Sequence, residues 1–169
     1  MPTSRRDRGF TLIELSVVLL VLAVAAALVL PRLDITAEAS LRRSARTLAA
    51  TIRYVQDRAA VTRRSHTVVF DLATDRITVR QPPSEKDEPN SSDPFLDRPL
   101  LGDGIRLKDV SAPPLGKVSA GTVEVPVSPL GLPGVLTVHL EAGSAACTVV
   151  AYPAGRKVLV LEGISEGTI

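Results

Sequence analysis

Residues 10–30 form the longest apolar run in the chain, with only Thr11, Glu14 and Ser16 polar among 21 residues. As a helix, this run would be about 31 Å long at 1.5 Å per residue, close to the hydrocarbon thickness of a bilayer. The pattern therefore predicts a transmembrane helix segment over 10–30.

After Pro31, apolar residues recur at alternating spacings of four and three, which places them on one helical face. They are Leu41, Ala45, Leu48, Ile52, Val55 and Ala59. We expect an amphipathic stem helix over 31–64, ending near Thr62 and packed on the chain's own sheet. A coiled-coil partner is the lesser alternative, because the repeat is short. Pro31 removes one backbone donor and should bend the helix.

From residue 65, short runs rich in Val, Ile and Thr predict strands separated by turns. The seven predicted strands are 66–72, 76–80, 105–110, 122–127, 135–140, 147–152 and 157–162. Residues 81–99 contain five prolines among polar residues and predict a mobile loop. The expected fold class is α+β, with a long N-terminal helix packed on a small antiparallel β-sandwich-like head over 65–169.

Charge changes sign along the chain. The 169 residues carry 20 Lys and Arg against 18 Asp and Glu, and the excess lies in the leader 1–9. This leader puts the N-terminus in the cytoplasm by the positive-inside tendency, with the head across the membrane. Residues 32–64 have a net charge of +5 and residues 65–169 a net charge of −4. That asymmetry fits either head-to-stem contacts between subunits or arginines near anionic lipid.

Glu14 is the unusual residue of the apolar run. A carboxylate costs on the order of 3 kcal/mol at the centre of a membrane helix, and less near an interface. No Lys, Arg or His lies between residues 10 and 30, so the run itself offers no cationic partner. A cleaved signal peptide or a simple signal anchor would explain the hydrophobicity but would give Glu14 no function.

Residues 8–15, RGFTLIEL, resemble the class III signal of type IV pilins and type II secretion pseudopilins. The resemblance implies cleavage by a prepilin peptidase after Gly9 and N-methylation of the new terminal Phe10. It also implies that the amine of Phe10 pairs with Glu14 of a neighbouring subunit during assembly. The helix-bending proline of the family is matched by Pro31.

The head resembles the GspH/FimT group of minor pseudopilins and minor pilins more loosely. The matching segments are Phe70-Asp71-Leu72, Ser128-Pro129-Leu130-Gly131 and Gly155-Arg156-Lys157-Val158. The expected function is a minor pseudopilin of the type II secretion system, at or near the tip of the periplasmic pseudopilus. Its expected partners are other pseudopilins or pilins, the prepilin peptidase, the inner-membrane assembly platform and membrane lipid.

Catalytic and metal chemistry are not predicted. His66 and His139 lie 73 residues apart without ligand spacing, and His139 is expected at the surface or rim. Asp71 and Asp75 fit turn chemistry. Cys147 is expected to be a small core residue. We therefore predict no enzyme, no catalytic, metal or cofactor site and no cofactor.

Two other functions stay open. One is a minor pilin of a type IV pilus, including one that captures DNA. The acidic head disfavours nucleic acid, although a local patch is conceivable, formed by Arg76, Arg80, Arg106 and Lys108. The other is a signal-anchored periplasmic enzyme or binding protein, which requires the junction between Gly9 and Phe10 to stay uncut.

Overall fold

One long helix and eight strands make up the described part of the chain. The computed structural model describes residues 12–81, 95–96, 98–153 and 157–165, with residues 26–35 described by their backbone alone. It divides into two compact units, residues 1–35 and 36–169. The helix α1 runs over Leu12–Thr62. It passes through Pro31 without interruption, and the bend predicted there stays a prediction.

The strands form two antiparallel sheets. In chain order, they are β1 His66–Asp71, β2 Arg76–Arg80, β3 Arg106–Ala112, β4 Gly116–Val118, β5 Thr122–Val127, β6 Leu136–Ala142, β7 Ala145–Ala151 and β8 Val158–Glu162. The first sheet has the order β2-β1-β5 and the second has the order β4-β3-β6-β7-β8. The mixed helix and antiparallel sheet class is therefore confirmed, with eight described strands where seven were predicted.

The apolar stripe of α1 is the centre of the core. All six predicted residues, Leu41 to Ala59 at their alternating spacing, are at most 1% exposed. They share one cluster with the inner faces of both sheets, including Phe70 on β1, Val123 on β5 and Val138 on β6. Burial of this stripe supplies the main driving force for docking the helix, at about 25 cal/mol per Å² of apolar surface.

Polar contacts fix the helix against the second sheet. The Ser44 hydroxyl accepts a hydrogen bond from the backbone N–H of Gly102 at 3.0 Å. Arg42 forms an ion pair with Glu162 at the end of β8, at 3.2 Å. Further along the helix, the Arg53 guanidinium donates to the Val158 carbonyl at 3.3 Å. The stem and the head therefore belong to one packed unit from Thr36 onward.

A single turn also links the two sheets. Asp75, in the turn between β1 and β2, has a left-handed φ of 52°. Its carboxylate accepts the backbone N–H of Leu107 at 2.7 Å. The pairing of β3 with β6 shifts register between Leu107 and Asp109, at a β-bulge. Asp75 thus satisfies a backbone donor beside this irregularity.

The membrane-spanning half of the helix is not confirmed. Among the described residues, no helical stretch is both long and apolar enough to cross a bilayer.

Candidate assembly site

The first part of α1 exposes aliphatic side chains on every side. Between Leu12 and Val24, ten large aliphatic residues have exposed fractions between 45% and 84%. They are Leu12, Ile13, Leu15, Val17, Val18, Leu19, Leu20, Val21, Leu22 and Val24. An apolar surface of this extent marks a site for protein or membrane contact, because water is a poor solvent for it. The described chain leaves this surface for something else to cover.

Glu14 lies within this apolar surface, in the first turn of α1. Val17 and Val18, three and four positions further along, share its helical face. The Ser16 hydroxyl is used within the helix, since it donates to the Leu12 carbonyl at 2.9 Å. Covering this face with apolar groups would desolvate Glu14, and a buried carboxylate is tolerated only where hydrogen-bond donors or a cation face it.

The other predicted processing residues, Gly9 and Phe10, lie outside the described residues, and so do all atoms of the leader 1–9. Cleavage, methylation and the charge pair with Glu14 therefore stay predictions.

The structure shows that part of the stem's positive charge is used within the chain. Arg42 contacts both Glu38 at 2.6 Å and Glu162 at 3.2 Å. Arg53 reaches β8 through the Val158 carbonyl. The difference in charge between stem and head therefore stabilises contacts inside one subunit, in addition to any contact between subunits.

Three of the four residues in the predicted basic patch each lie near a carboxylate. Arg80 pairs with Glu124 at 2.8 Å. Lys108 lies 3.9 Å from Glu141. Arg106 lies 4.0 Å from Asp75. Phosphate binding gains affinity from cations that can release counterions, and a neighbouring carboxylate reduces that gain. These contacts weigh against a DNA-binding face made of these residues.

The prediction for His139 was wrong. It lies on β6, is 2% exposed, and its Nδ1 is 2.5 Å from the carboxylate of Asp109 on β3. The two residues face each other across the sheet. The ammonium of Lys117 on β4 lies 3.5 Å from the second oxygen of Asp109. The sheet therefore contains a row of polar side chains, buried at Asp109 and His139 and exposed at Lys117, and its buried members need internal partners.

Residues 163–165 contact this row at His139 and also bond to Thr148. The Ser165 carbonyl lies 3.2 Å from Nε2 of His139, and the Ser165 N–H donates to the Thr148 hydroxyl at 3.0 Å. Thr148 in turn donates to the Gly163 carbonyl at 2.7 Å. Both ring nitrogens of His139 therefore have oxygen partners, which is the condition for burying such a ring. The row holds the segment after β8 against the sheet.

Sequence reasoning missed this row, because only one of its two strands carried a signal. His139 interrupts an apolar run between Val138 and Leu140, whereas Asp109 follows Lys108 in a strand of mixed polarity. A polar residue within an apolar strand indicates a buried partner, since an unpaired buried polar group is costly. The sequence did not show that β3 and β6 are neighbours.

Other sequence-predicted residues have structural roles. The Asp71 carboxylate accepts backbone N–H groups from Ala73 at 3.0 Å and Thr74 at 3.2 Å. Its bonds to Thr74 and Ala73 lower the pKa of Asp71. Cys147 is buried in the core as expected, and burial raises the pKa of its thiol. In the described parts of the chain, no three His, Cys, Asp or Glu side chains are grouped to hold a metal ion.

Comparison with known proteins gives one match. Residues 4–30 match the family model described as a prokaryotic N-terminal methylation motif. No curated protein and no solved structure matches the chain. The matched residues include the exposed apolar part of α1 and Glu14. The N-terminal segment therefore carries a methylation motif of the type IV pilin-like kind.

Proposed function

We propose that this protein is a minor pseudopilin of a type II secretion system, a structural subunit at or near the tip of the periplasmic pseudopilus. The observation that carries the proposal is the methylation motif over 4–30, whose Glu14 lies on an uncovered apolar helix. A chain of this kind supports export by extending or capping a filament, and it performs no catalysis and needs no cofactor.

In this proposal the leader 1–9 is removed after Gly9, and Phe10 is methylated at its new amine. Residues 10–30 anchor the chain in the bacterial inner membrane as a single span, with the head in the periplasm. On assembly, the same segment packs among the helices of other pseudopilins. The Phe10 amine and Glu14 of adjacent subunits then form a pair that tolerates burial, which an isolated Glu14 would not.

Mass spectrometry of the mature N-terminus tests the processing step. The full-length chain is isolated from membranes and from sheared filaments of its native host. We expect a mature chain that starts at methylated Phe10. A chain that keeps residue 1, or one cut after the alanines near 25–27, contradicts the proposal and favours a signal-anchored or secreted periplasmic protein.

Deletion of the gene distinguishes the two filament systems. If the protein serves secretion, exported proteins accumulate in the periplasm of the mutant, and expression of the intact chain restores their release. Normal secretion combined with a loss of pili or of DNA uptake overturns the assignment to secretion. That result would favour a minor pilin of a type IV pilus.

A further inference from the structure

The segment Ser128–Gly131 is a tight turn that carries Leu130 at its outermost position. Leu130 is 95% exposed, the highest value among the large hydrophobic residues described. Ser128 and Gly131 exchange two backbone hydrogen bonds, at 3.0 and 2.9 Å. The Ser128 hydroxyl also donates to the Gly131 carbonyl at 3.0 Å and accepts the Leu130 N–H at 3.2 Å. Four hydrogen bonds therefore hold a turn whose only large apolar side chain points to solvent.

Gly131 fixes this turn to the body of the head. Its φ is 110°, a conformation that side chains disfavour. A Cβ atom there would lie 2.7 Å from the carbonyl oxygen of Pro153, so the two backbones are in close contact. A flexible loop would let Leu130 fold back onto the surface, whereas this turn keeps it extended. The exposure of Leu130 is thus built into the fold.

The turn lies at the end of the head where α1 ends, here called the helix-exit end. There β1 begins and β5 ends, since His66 pairs with Val127. The same end holds the start of β6 and the end of β7, since Leu136 pairs with Ala151. Outside residues 12–25, the exposed large hydrophobic residues of the described chain are Val61 at 83%, Leu115 at 58%, Leu130 at 95% and Ile164 at 49%.

Three of these four residues lie at the helix-exit end. Val61 is in the last turn of α1, and Leu115 lies between β3 and β4, whose ends meet where Ala112 pairs with Gly116. Pro113 contacts Gly134, next to the start of β6, and a Cβ atom on Gly134 would lie 2.5 Å from its ring. The concentration of exposed aliphatic residues at one end indicates an interface there, because scattered ones are expected on any surface.

The two ends of the head differ in charge. The helix-exit end carries Arg63 directly after α1, and Lys157 directly before β8. At the opposite end, where α1 enters the head, Asp75, Glu141 and Glu162 are already paired with cations; the partners are Arg106, Lys108 and Arg42. A partner of the helix-exit end should therefore offer apolar contact together with negative charge, since complementary charges guide docking and orientation.

We propose that Leu130 is the anchor by which this head docks on a neighbouring pilin-type subunit with an apolar pocket bordered by carboxylates. The inference rests on the proposed filament function. A rigid exposed leucine in a preformed turn loses little entropy on entering a pocket, which is typical of interface anchors. A lipid surface would gain nothing from that rigidity.

Site-specific photocrosslinking in the native host tests the proposal. p-Benzoylphenylalanine replaces Leu130 in the full-length chain and, as a matched control, the exposed Thr78 on β2. We expect crosslinks from position 130 to peptides of a protein that itself carries an N-terminal methylation motif, at least about tenfold more abundant than from position 78. Crosslinks to lipid only, or equal yields at both positions, overturn the proposal.

A charge substitution adds a functional readout. Leu130→Asp should reduce incorporation into sheared filaments by about tenfold, whereas Thr78→Asp should not. Denaturant unfolding should be unchanged in both variants, because both side chains are exposed. If Leu130→Asp incorporates normally while the chain is still cleaved and methylated at Phe10, the anchor is refuted and the filament function stands. If cleavage fails in the unmodified chain, the filament function itself is refuted.

Discussion

Two parts of the same helix use the same aliphatic residue types in opposite ways. Between Leu12 and Val24, leucines and valines cover all faces and are exposed. Between Leu41 and Ala59, they form a stripe that both sheets bury. The amino acids alone do not account for this difference, because leucine has the same helix propensity in both places.

What differs is where the polar residues fall. Arginines interrupt the second segment at positions such as 43 and 46, leaving one apolar face that packs against the sheets. In the first segment only Glu14 and Ser16 interrupt the apolar surface between 12 and 25, and no single face is favoured. The second segment is thus completed by its own chain, whereas in the proposed function a membrane or other subunits cover the first.

The largest effect should come from removing a core side chain of the second segment. Leu48→Ala should lower the free energy of unfolding by about 2–5 kcal/mol, since it leaves a cavity among buried neighbours. Leu19→Ala, the matched change in the exposed segment, should have little effect on the isolated full-length chain in detergent. Denaturant unfolding followed by circular dichroism measures both. Equal losses would remove the distinction between the two segments.

A smaller loss is expected inside the second sheet. Asp109→Asn removes the buried charge that faces His139 and Lys117, and should cost about 1.5–3 kcal/mol, the range for hydrogen bonds to charged groups. Asp103→Asn, at an exposed loop, is the control. In Asp109→Asn, the Ser165 amide hydrogen should also exchange faster with solvent. Its N–H donates to Thr148, which lies opposite His139 on β7. A stability equal to that of the control would mean that the row is dispensable.

Glu14→Leu tests the assembly role proposed for the first segment of the helix. The substitution should leave cleavage at Gly9 and the unfolding of the head unchanged, because Glu14 is remote from both sheets in sequence and is exposed. Incorporation into filaments should fall by about tenfold, equivalent to about 1.4 kcal/mol. Glu14→Gln keeps the size but not the charge and should fall as well. Normal incorporation of either variant would show that no charge pair forms.

The smallest effect concerns pH. Burial lowers the pKa of His66, the charges of Arg58 and Arg64 lower it further, and a hydrogen bond to the Arg64 carbonyl partly opposes them. The folded chain thus holds this proton less tightly than the unfolded chain. The contribution of His66 to the free energy of unfolding is complete above its unfolded pKa of about 6.5 and is lost as pH falls below that value. The difference in unfolding free energy between the original chain and His66→Gln should shrink on acidification. A constant difference would contradict this.

Local pattern was sufficient to predict much of the fold. The stripe residues, the end of α1 at Thr62 and the bounds of β2 and β5 follow from periodicity and turn residues that act within a few positions. The methylation motif was equally local, so its match over 4–30 follows from adjacent residues. Such features need no knowledge of which strands are neighbours.

Features that depend on strand order were missed. The strand β4 has only three residues, Gly116–Val118, and is defined by its pairing with β3. His139 was assigned to the surface because its partner Asp109 is 30 positions away. The exposure of Leu130 likewise depends on Gly131 meeting Pro153. Each case requires two segments that only the tertiary fold brings together.

The link from Asp75 to Leu107 has a consequence for how the chain tolerates changes in length. It joins the turn after β1 to the start of β3, while Phe95 packs on Tyr54 with ring centroids 4.8 Å apart. Both contacts are made by residues outside 82–94. An epitope or a reporter peptide inserted between residues 85 and 90 should therefore leave the bond from Leu107 to Asp75 and the packing of Phe95 on Tyr54 intact.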